Sequence, residues 1–476
     1  MRSVSQAAPE PTLAEAPSFA DLAFRDAEGE IRPAFLAAVR AAIEAADHDR
    51  LVALAGDLYE ADLGQLIEAL DPEERPRLVA ILGADFDFAA LTEVEDTVRE
   101  EILEEIPNEK IAEGVRDLDS DDAVYILEDL EPEDKEEVLA RLPAEERVTI
   151  ERGLDYPEDS AGRLMQTDFI AAPPFWTVGQ MIDHLRETTD LPDEFYELYV
   201  IDPGGRIIGH VPLNRLLRTR RPERLETIMH EADHVARTTD DKTDVADLFK
   251  RYNLVSIPVT DEGNRLVGVL TFDDIVDVID DEADAEIRAL GGVKSDEELS
   301  DTVMETARAR FSWLFVNLLT AILASAVIDL FQGALEKMVA LAVLMPIVAS
   351  QGGNAGTQTM TVAVRALATR AISAANAPRV VLREVMVGFI NGIAFAVLMG
   401  AVAALWFKNA DLGYVIGIAI VVNLVAAGLA GVMIPLLLER AGVDPAVASG
   451  PFVTTVTDIV GFFAFLGVAT LWFGLG

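Results

Sequence analysis

Residues 445–476 read PAVASGPFVTTVTDIVGFFAFLGVATLWFGLG, and Asp458 is the only charged side chain among them. A membrane-spanning helix needs about 20 apolar residues, so this stretch is long enough. An acid inside such a helix is expensive in hydrocarbon and is a functional-site hypothesis by default. At about 1.5 Å rise per residue, Asp458 falls near mid-membrane. Thr454 and Asp458 stand four apart on one helical face, and Gly461 continues the stripe. Hydroxyl, carboxylate and glycine together suit water and a cation. The ordinary alternative is an Asp paired with a buried Arg, but no Lys or Arg lies within any apolar run of the chain.

Working outward, uncharged runs occur at 311–328, 338–364, 385–407 and 412–438, which makes five predicted spans. Arg308 and Arg310 precede the first, Arg365, Arg370, Arg379 and Arg383 crowd the connection after the second, and Arg440 follows the fourth. The opposite connections carry only Lys337 and Lys408. The positive-inside rule then puts the long N-terminal half in the cytosol and the C-terminus outside. The expected location is the cell (inner or plasma) membrane, crossed several times. The second run holds Pro346 and then Gly352-Gly353-Asn354-Ala355-Gly356-Thr357-Gln358. Irregular backbone at membrane depth is tolerated where it lines a wet cavity, and this run is assigned there. Close packing through small residues is the alternative, and Pro435 of the fourth run is assigned to packing.

Charge divides the chain. Residues 310–476 hold 8 Lys/Arg and 7 Asp/Glu, whereas the residues before them hold 30 and 75. A net charge of −44 argues against nucleic acid as a partner and favours cations. The chain has no cysteine, which excludes disulfides and thiolate metal sites and fits a reducing compartment. The first twenty residues lack the apolar run of a signal peptide. Residues 1–25 read as a disordered Ala/Pro tail.

The acidic half has three parts. In residues 26–155, turns recur every 12 residues at Ile106-Pro107-Asn108-Glu109, Leu118-Asp119-Ser120-Asp121, Leu130-Glu131-Pro132-Glu133 and Leu142-Pro143-Ala144-Glu145. Leu70-Asp71-Pro72-Glu73 is an upstream unit. Each reads as a helix start with an acidic first turn, giving short helices stacked as a superhelix. Residues 160–272 contain a duplication: Asp202-Pro203-Gly204-Gly205-Arg206-Ile207-Ile208-Gly209 matches Asp261-Glu262-Gly263-Asn264-Arg265-Leu266-Val267-Gly268, 59 residues later. Each copy has a strand, a D-x-G-x-R turn, a strand and a helix, and the pair resembles tandem cystathionine-β-synthase (CBS) modules of α/β fold. In the second copy Thr271 and Asp274 fit that family's ribose contact, G-x-x-[ST]-x-x-D. The first has Pro212 at the hydroxyl position. ATP or another adenine nucleotide is therefore a candidate ligand of one site, with a purely structural or Mg2+-sensing module as the alternative.

Residues 273–294 form the third part. Ile275, Val278, Ile279, Ala283, Ile287 and Leu290 make one apolar helix face, and Asp274, Asp277, Asp281 and Asp284 an acidic stripe. Like charges at such spacing destabilise a helix, and a bound divalent cation relieves the repulsion. A juxtamembrane helix is expected over 295–310 before the pore domain of 311–476. His230-Glu231-Ala232-Asp233-His234 spells the zinc-protease pattern H-E-x-x-H. That chemistry needs both histidines on one helical face, and here a strand-like stretch follows, so the match is dismissed.

Taken together, these residues resemble the MgtE-type magnesium channels. The carriers are Tyr156-Pro157-Glu158-Asp159-Ser160-Ala161-Gly162-Arg163-Leu164-Met165, the P-x(5)-G-G-N-x-G-x-Q run from Pro346, and Asp444-Pro445-Ala446 followed by T-x-x-D-x-x-G. The resemblance implies a multidomain membrane protein: an α-helical N-domain, a tandem CBS module, a connecting plug helix and an all-α five-helix transmembrane domain. It implies a homodimer in the lipid bilayer with one pore on the twofold axis. There Asp458 holds hydrated Mg2+, with Thr454, Gly461, Gly450, Gly352, Gly353, Asn354 and Gly356 lining the path. It makes Asp121, Asp274, Asp277, Glu282 and Glu286 ligands of regulatory Mg2+. Gly450 stands where the family commonly has Asn, and Ala285 where an acid is common. Transport of Co2+, Ni2+ or Mn2+, or a CBS-regulated sensor without transport, are the alternative readings. A CBS-regulated anion channel would need basic or amide-rich filter residues and finds only an acid. No catalytic constellation or P-loop points to an enzyme.

Overall fold

The computed structural model describes residues 23–188, 191–192, 195–293, 297, 302–373 and 375–475. It divides into two compact units, Met1–Asp280 and Asp281–Gly476.

The first unit begins with helices α1 (Pro33–Ala45), α2 (His48–Ala55), α3 (Glu60–Glu68), α4 (Arg75–Leu82), α5 (Asp96–Glu105), α6 (Asn108–Val115), α7 (Ser120–Glu128), α8 (Pro132–Arg141) and α9 (Ala144–Leu154). The starts of α6 to α9 keep the 12-residue period. Acids in their first turns complement the helix dipole. Each buries a short apolar stripe, such as Ile111, Ala112 and Val115 of α6 or Val138 and Leu139 of α8. Each of these helices is too short to be stable alone, and stacking α6 on α8 and α7 on α9 supplies the missing cover. The upstream unit departs from the period. Asp71 to Glu74 form a turn, with the Glu74 N–H donating to Asp71 O at 2.8 Å and the Glu74 carboxylate accepting from the Asp71 N–H at 3.1 Å. Order also begins earlier than the predicted boundary at 26: Phe24 packs edge-on against Phe35 at 5.2 Å, and Arg25 pairs with Asp62. The rest of the expected tail lies outside the described residues.

After α10 (Ala161–Leu164) and α11 (Val178–Glu187), the duplication takes shape as two small sheets. One has the order β1 (Ala171–Ala172), β2 (Glu197–Ile201), β3 (Ile207–Pro212), β4 (His230–Glu231), with helices α12 (Leu213–Arg218) and α13 (Leu225–Ile228) between the last two strands. The other has β5 (Ala236–Arg237), β6 (Ser256–Thr260) and β7 (Leu266–Thr271), with α14 (Lys242–Tyr252) after β5. The copies agree residue by residue. Glu197 pairs with Pro212 as Ser256 pairs with Thr271, and the register slips after Val200 as it does after Val259. Gly205 and Asn264 occupy the same turn position with φ of +78° and +60°, a left-handed backbone that glycine and asparagine tolerate best. The H-E-x-x-H match is not helical: His230 lies in β4 opposite His210, and His234 stacks on Tyr252 at 4.1 Å.

Helix α15 (Phe272–Leu290) is continuous across the boundary between the units. The second unit then holds α16 (Val303–Asp329), α17 (Gln332–Lys337), α18 (Val339–Ala368), α19 (Ala377–Phe407), α20 (Ala410–Arg440) and α21 (Pro445–Phe473). All but α17 are long and apolar enough to cross a membrane, five in number as expected. No separate juxtamembrane helix is seen among the described residues. Thr302 and Glu305 form a capping box, which favours helix initiation there, and α16 runs on from Val303 without a breaker. Helix α20 is the most enclosed, packing against α18, α19 and α21, while α16 packs on α21. The Gly-Gly-Asn run of α18 is helical throughout, with Pro346 inside the helix.

Candidate functional site

Helix α21 is organised by its own polar side chains. Asp444 caps it by accepting the Ala446 N–H at 2.8 Å, and Pro445 occupies the first turn, where its missing N–H costs nothing. Pro451 lies inside the helix and removes one rung of its ladder. Hydroxyls cluster around that gap. Thr454 Oγ1 donates to Gly450 O and Pro451 O at 3.1 Å each, and Thr455 also donates to Pro451 O. Thr457 donates to Thr454 O at 2.9 Å. These hydroxyls therefore bond to their own helix and leave the Asp458 carboxylate to other partners. Asp458 is half-buried and forms no hydrogen bond or ion pair among the described residues.

The expected stripe divides by burial. Val453, Thr457, Gly461 and Phe465 are buried, whereas Thr454 and Asp458 occupy the half-buried flank. Gly461 is needed for close approach, since a Cβ there would lie 2.6 Å from Asn423 Nδ2. The Gly-Gly-Asn run divides likewise. A Cβ at Gly356 would lie 2.7 Å from Val453 Cγ1, and one at Gly352 would strike the Asn423 amide. A Cβ at Gly353 or Gly450 would meet nothing within 4 Å, and Asn354 is exposed. The broken backbone expected of this run is thus replaced by helix packing at Gly352 and Gly356, because two glycines four apart let α18 approach its neighbours closely.

Two polar residues of this region escaped the sequence reading. Asn423 is only 1% exposed on α20, and its Nδ2 donates to Val348 O at 2.8 Å. The signal was a lone amide within the run 412–438. Glu384, on α19, has its side chain largely buried and accepts a long hydrogen bond, 3.5 Å, from Thr359 Oγ1. It stands one residue before the uncharged run 385–407 and so fell outside the predicted span.

A second acidic place lies in the first unit. Asp121, at the start of α7, is buried, and its Oδ1 has no hydrogen-bond partner. Burial first, then the charges of Asp274, Asp122 and Asp119, hold its pKa well above the usual carboxylate range. Burial and the same neighbourhood push Asp122 to about 7. Asp274 is raised chiefly by burial and by Asp273 and Asp277, while its bond from Thr271 Oγ1, 2.5 Å, opposes the shift. Glu93 is raised by burial, Asp277 and Glu60. The structure therefore gathers Asp121, Asp274 and Asp277, adding Asp122 and Glu93. Thr271, the candidate nucleotide contact, donates its hydroxyl to Asp274 in the first turn of α15. Glu282 and Glu286 follow on α15 in the second unit, where Glu286 pairs with Arg365 of α18. Among the described residues, no three His, Asp or Glu side chains close around a single point tightly enough to hold a metal ion.

Residues 345–468 match a family described as divalent cation transporter, which sets the class as a membrane protein that moves divalent cations. Residues 58–159 match the MgtE intracellular N domain, and 225–281 the CBS domain. The magnesium transporter MgtE of Bacillus subtilis (strain 168) is 30% identical over 414 residues, 87% of this chain and 92% of that protein. The protein of the same name from Thermus thermophilus is 32% identical over 445 residues, 88% of this chain and 98% of that one. A solved cytosolic domain of the Mg2+ channel MgtE in complex with ATP is 27% identical, with 51% of this chain and 99% of that chain covered and a TM-score of 0.47. The chain belongs to the MgtE family.

Proposed function

We propose that this protein is a Mg2+ channel of the cell membrane, driven by the electrochemical gradient and closed by cytosolic Mg2+. The observation that carries the reading is Asp458, a half-buried mid-helix carboxylate without a basic partner among the described residues. The names of the similar transporters support Mg2+ as the ion. Mg2+ keeps several of its waters, so carboxylates from two copies of α21 would hold it through hydration-shell hydrogen bonds, loosely enough for release. A homodimer supplies that pair. The membrane potential contributes about 2.3 kcal/mol per charge per 100 mV, twice that for a divalent ion. Arginine placement supports a cytosolic N-terminal half and an outer C-terminus.

Closure is assigned to the acids of the first unit and of α15. After burial, the charge of Asp274 raises the proton affinity of both Asp121 and Asp122, and Asp122 that of Asp121, and a divalent cation among them would relieve the same repulsion. That they do not form a tight chelate suits an ion held partly through water. Asp277, Glu282 and Glu286 extend the acidic surface along α15. Thr271 and Asp274 remain the candidate adenine-nucleotide contact. Nucleotide and Mg2+ would then compete for the Asp274 carboxylate.

The test is flux into liposomes containing the purified full chain, read with an internal Mg2+ indicator. Uptake that saturates with Mg2+, falls as Mg2+ on the N-terminal side rises, and is lost in Asp458→Ala supports the reading. Absence of any divalent flux would favour a membrane-tethered sensor. Preference for Co2+, Ni2+ or Mn2+ in competition would move the substrate.

A further inference from the structure

We propose that Asn423 is a positioning residue for ion passage: its buried amide locks α21, and with it the turn bearing Asp458, at one depth against α18. The link to ion passage rests on the transport reading above. The lock itself rests on geometry alone.

Asn423 sits in the middle of the most enclosed helix, among apolar neighbours. A primary amide in such surroundings is costly unless it is bonded. Its Nδ2 donates to the Val348 carbonyl of α18 at 2.8 Å. That carbonyl stands one turn before Gly352, and Gly352 has no side chain where the amide passes: the three atoms nearest a Cβ there all belong to Asn423. On the other side the amide abuts Gly461 of α21, where again the three nearest atoms are those of Asn423. Glycines on two different helices thus leave room for one side chain of a third. Gly461 is three residues beyond Asp458 on a continuous helix, about 4.5 Å along the axis. Sliding α21 by a fraction of a turn would drive backbone or a following side chain into the amide. Asn423 Oδ1 is buried with no partner among the described residues. An amide placed only to fill space would be replaceable by an apolar side chain, whereas this one bears the cost of an unpaired acceptor to keep a directional donor.

Depth matters because a hydrated ion is recognised by distances to several groups at once, as the distances in a filter decide which ions pass. The prediction is a change in discrimination rather than a simple loss of flux. In liposomes, Asn423→Ala is expected to keep Mg2+ uptake but raise Mn2+ uptake relative to Mg2+ by roughly three- to tenfold, the scale of one interhelical hydrogen bond in a membrane. Gly461→Ala, which displaces the amide, should shift the ratio in the same direction. The double variant Asn423→Ala/Gly461→Ala refills the lost volume without the bond and should stay shifted. A double variant with the wild-type ratio, or an unchanged ratio in all three, would make Asn423 a space-filler and overturn the proposal.

A second readout needs no flux. The chain has no cysteine, so spin labels at Val343→Cys on α18 and Phe463→Cys on α21, both exposed, report one interhelical distance when the labelled chain is diluted in an excess of unlabelled chain. Asn423→Ala should broaden that distribution, and a distribution as narrow as wild type would refute the lock. No divalent flux in the wild-type protein, together with this broadening in Asn423→Ala, would fail the transport reading and leave the lock standing.

Discussion

Glu286 of α15 and Arg365 of α18 form an ion pair within the second unit. The family resemblance implies Glu286 as a ligand of regulatory Mg2+, and on that proposal a guanidinium and a divalent ion would compete for one carboxylate. Removing Arg365 should therefore strengthen inhibition. Arg365→Gln is expected to lower the Mg2+ concentration that half-inhibits flux by no more than about fivefold, because exposed pairs are worth about 0.2–1 kcal/mol. Glu286→Gln should raise it, and the double variant should behave as Glu286→Gln. Equal half-inhibiting concentrations in all four proteins would remove Glu286 from regulation.

Asp458 tests conduction. Asp458→Asn keeps shape and polarity and loses only the charge. Mg2+ uptake is expected to fall to the level of empty liposomes while the protein elutes and unfolds as wild type does. Asp458→Glu should retain part of the uptake. Full uptake by Asp458→Asn would place the ion path elsewhere.

The three glycines of α18 differ in tolerance: Gly352 and Gly356 are closely packed and Gly353 is not. Gly356→Leu drives a side chain into Val453 and Thr457, and overpacking of that kind costs about 1–3 kcal/mol. Gly353→Ala meets open space and should be neutral or slightly stabilising, since alanine outranks glycine in helices. Thermal unfolding in detergent distinguishes them. Equal destabilisation by both would contradict the packing described for this helix.

The acidic cluster predicts an unusual pH response. Asp122 rises to about 7 and Asp121 well above its ordinary value. A carboxyl whose folded pKa exceeds its unfolded one binds more protons when folded, so stability falls as pH rises from about 4 to about 7. Without divalent ions the protein should be more stable at pH 5.5 than at pH 7.5 by an amount on the order of a few kcal/mol, seen as a higher melting temperature at the lower pH. Millimolar Mg2+ should close most of that gap by stabilising the ionised form. Asp121→Asn/Asp122→Asn should flatten the dependence, and a gap unchanged in that variant would assign it to other groups.

Legibility in the sequence followed physical range. Local periodicities were readable: the 12-residue helix starts, the duplicated D-x-G-x-R turns and the five apolar runs all depend on neighbours within a turn or two of chain. The left-handed positions at Gly205 and Asn264 were implicit in the same alignment. What stayed hidden depends on packing between distant elements. Whether Gly352 lines a cavity or admits a neighbouring helix is decided by Asn423, some seventy positions away. Glu384 went unnoticed because hydropathy marks where the uncharged run begins, at 385, and says nothing about where the helix begins, at Ala377. Asp122 looked like any solvated acid of a first turn until α15 was laid beside it.

Helix α15 runs unbroken from Phe272 to Leu290. Its length is consequently a matter of phase. Each residue inserted between Asp274 and Glu286 would turn the second carboxylate by about 100° about the helix axis relative to the first. Only insertions near a whole number of turns would keep the two carboxylates at the same angular offset, so lineages of this protein should tolerate drift in the side chains of this segment far more readily than a change in its count.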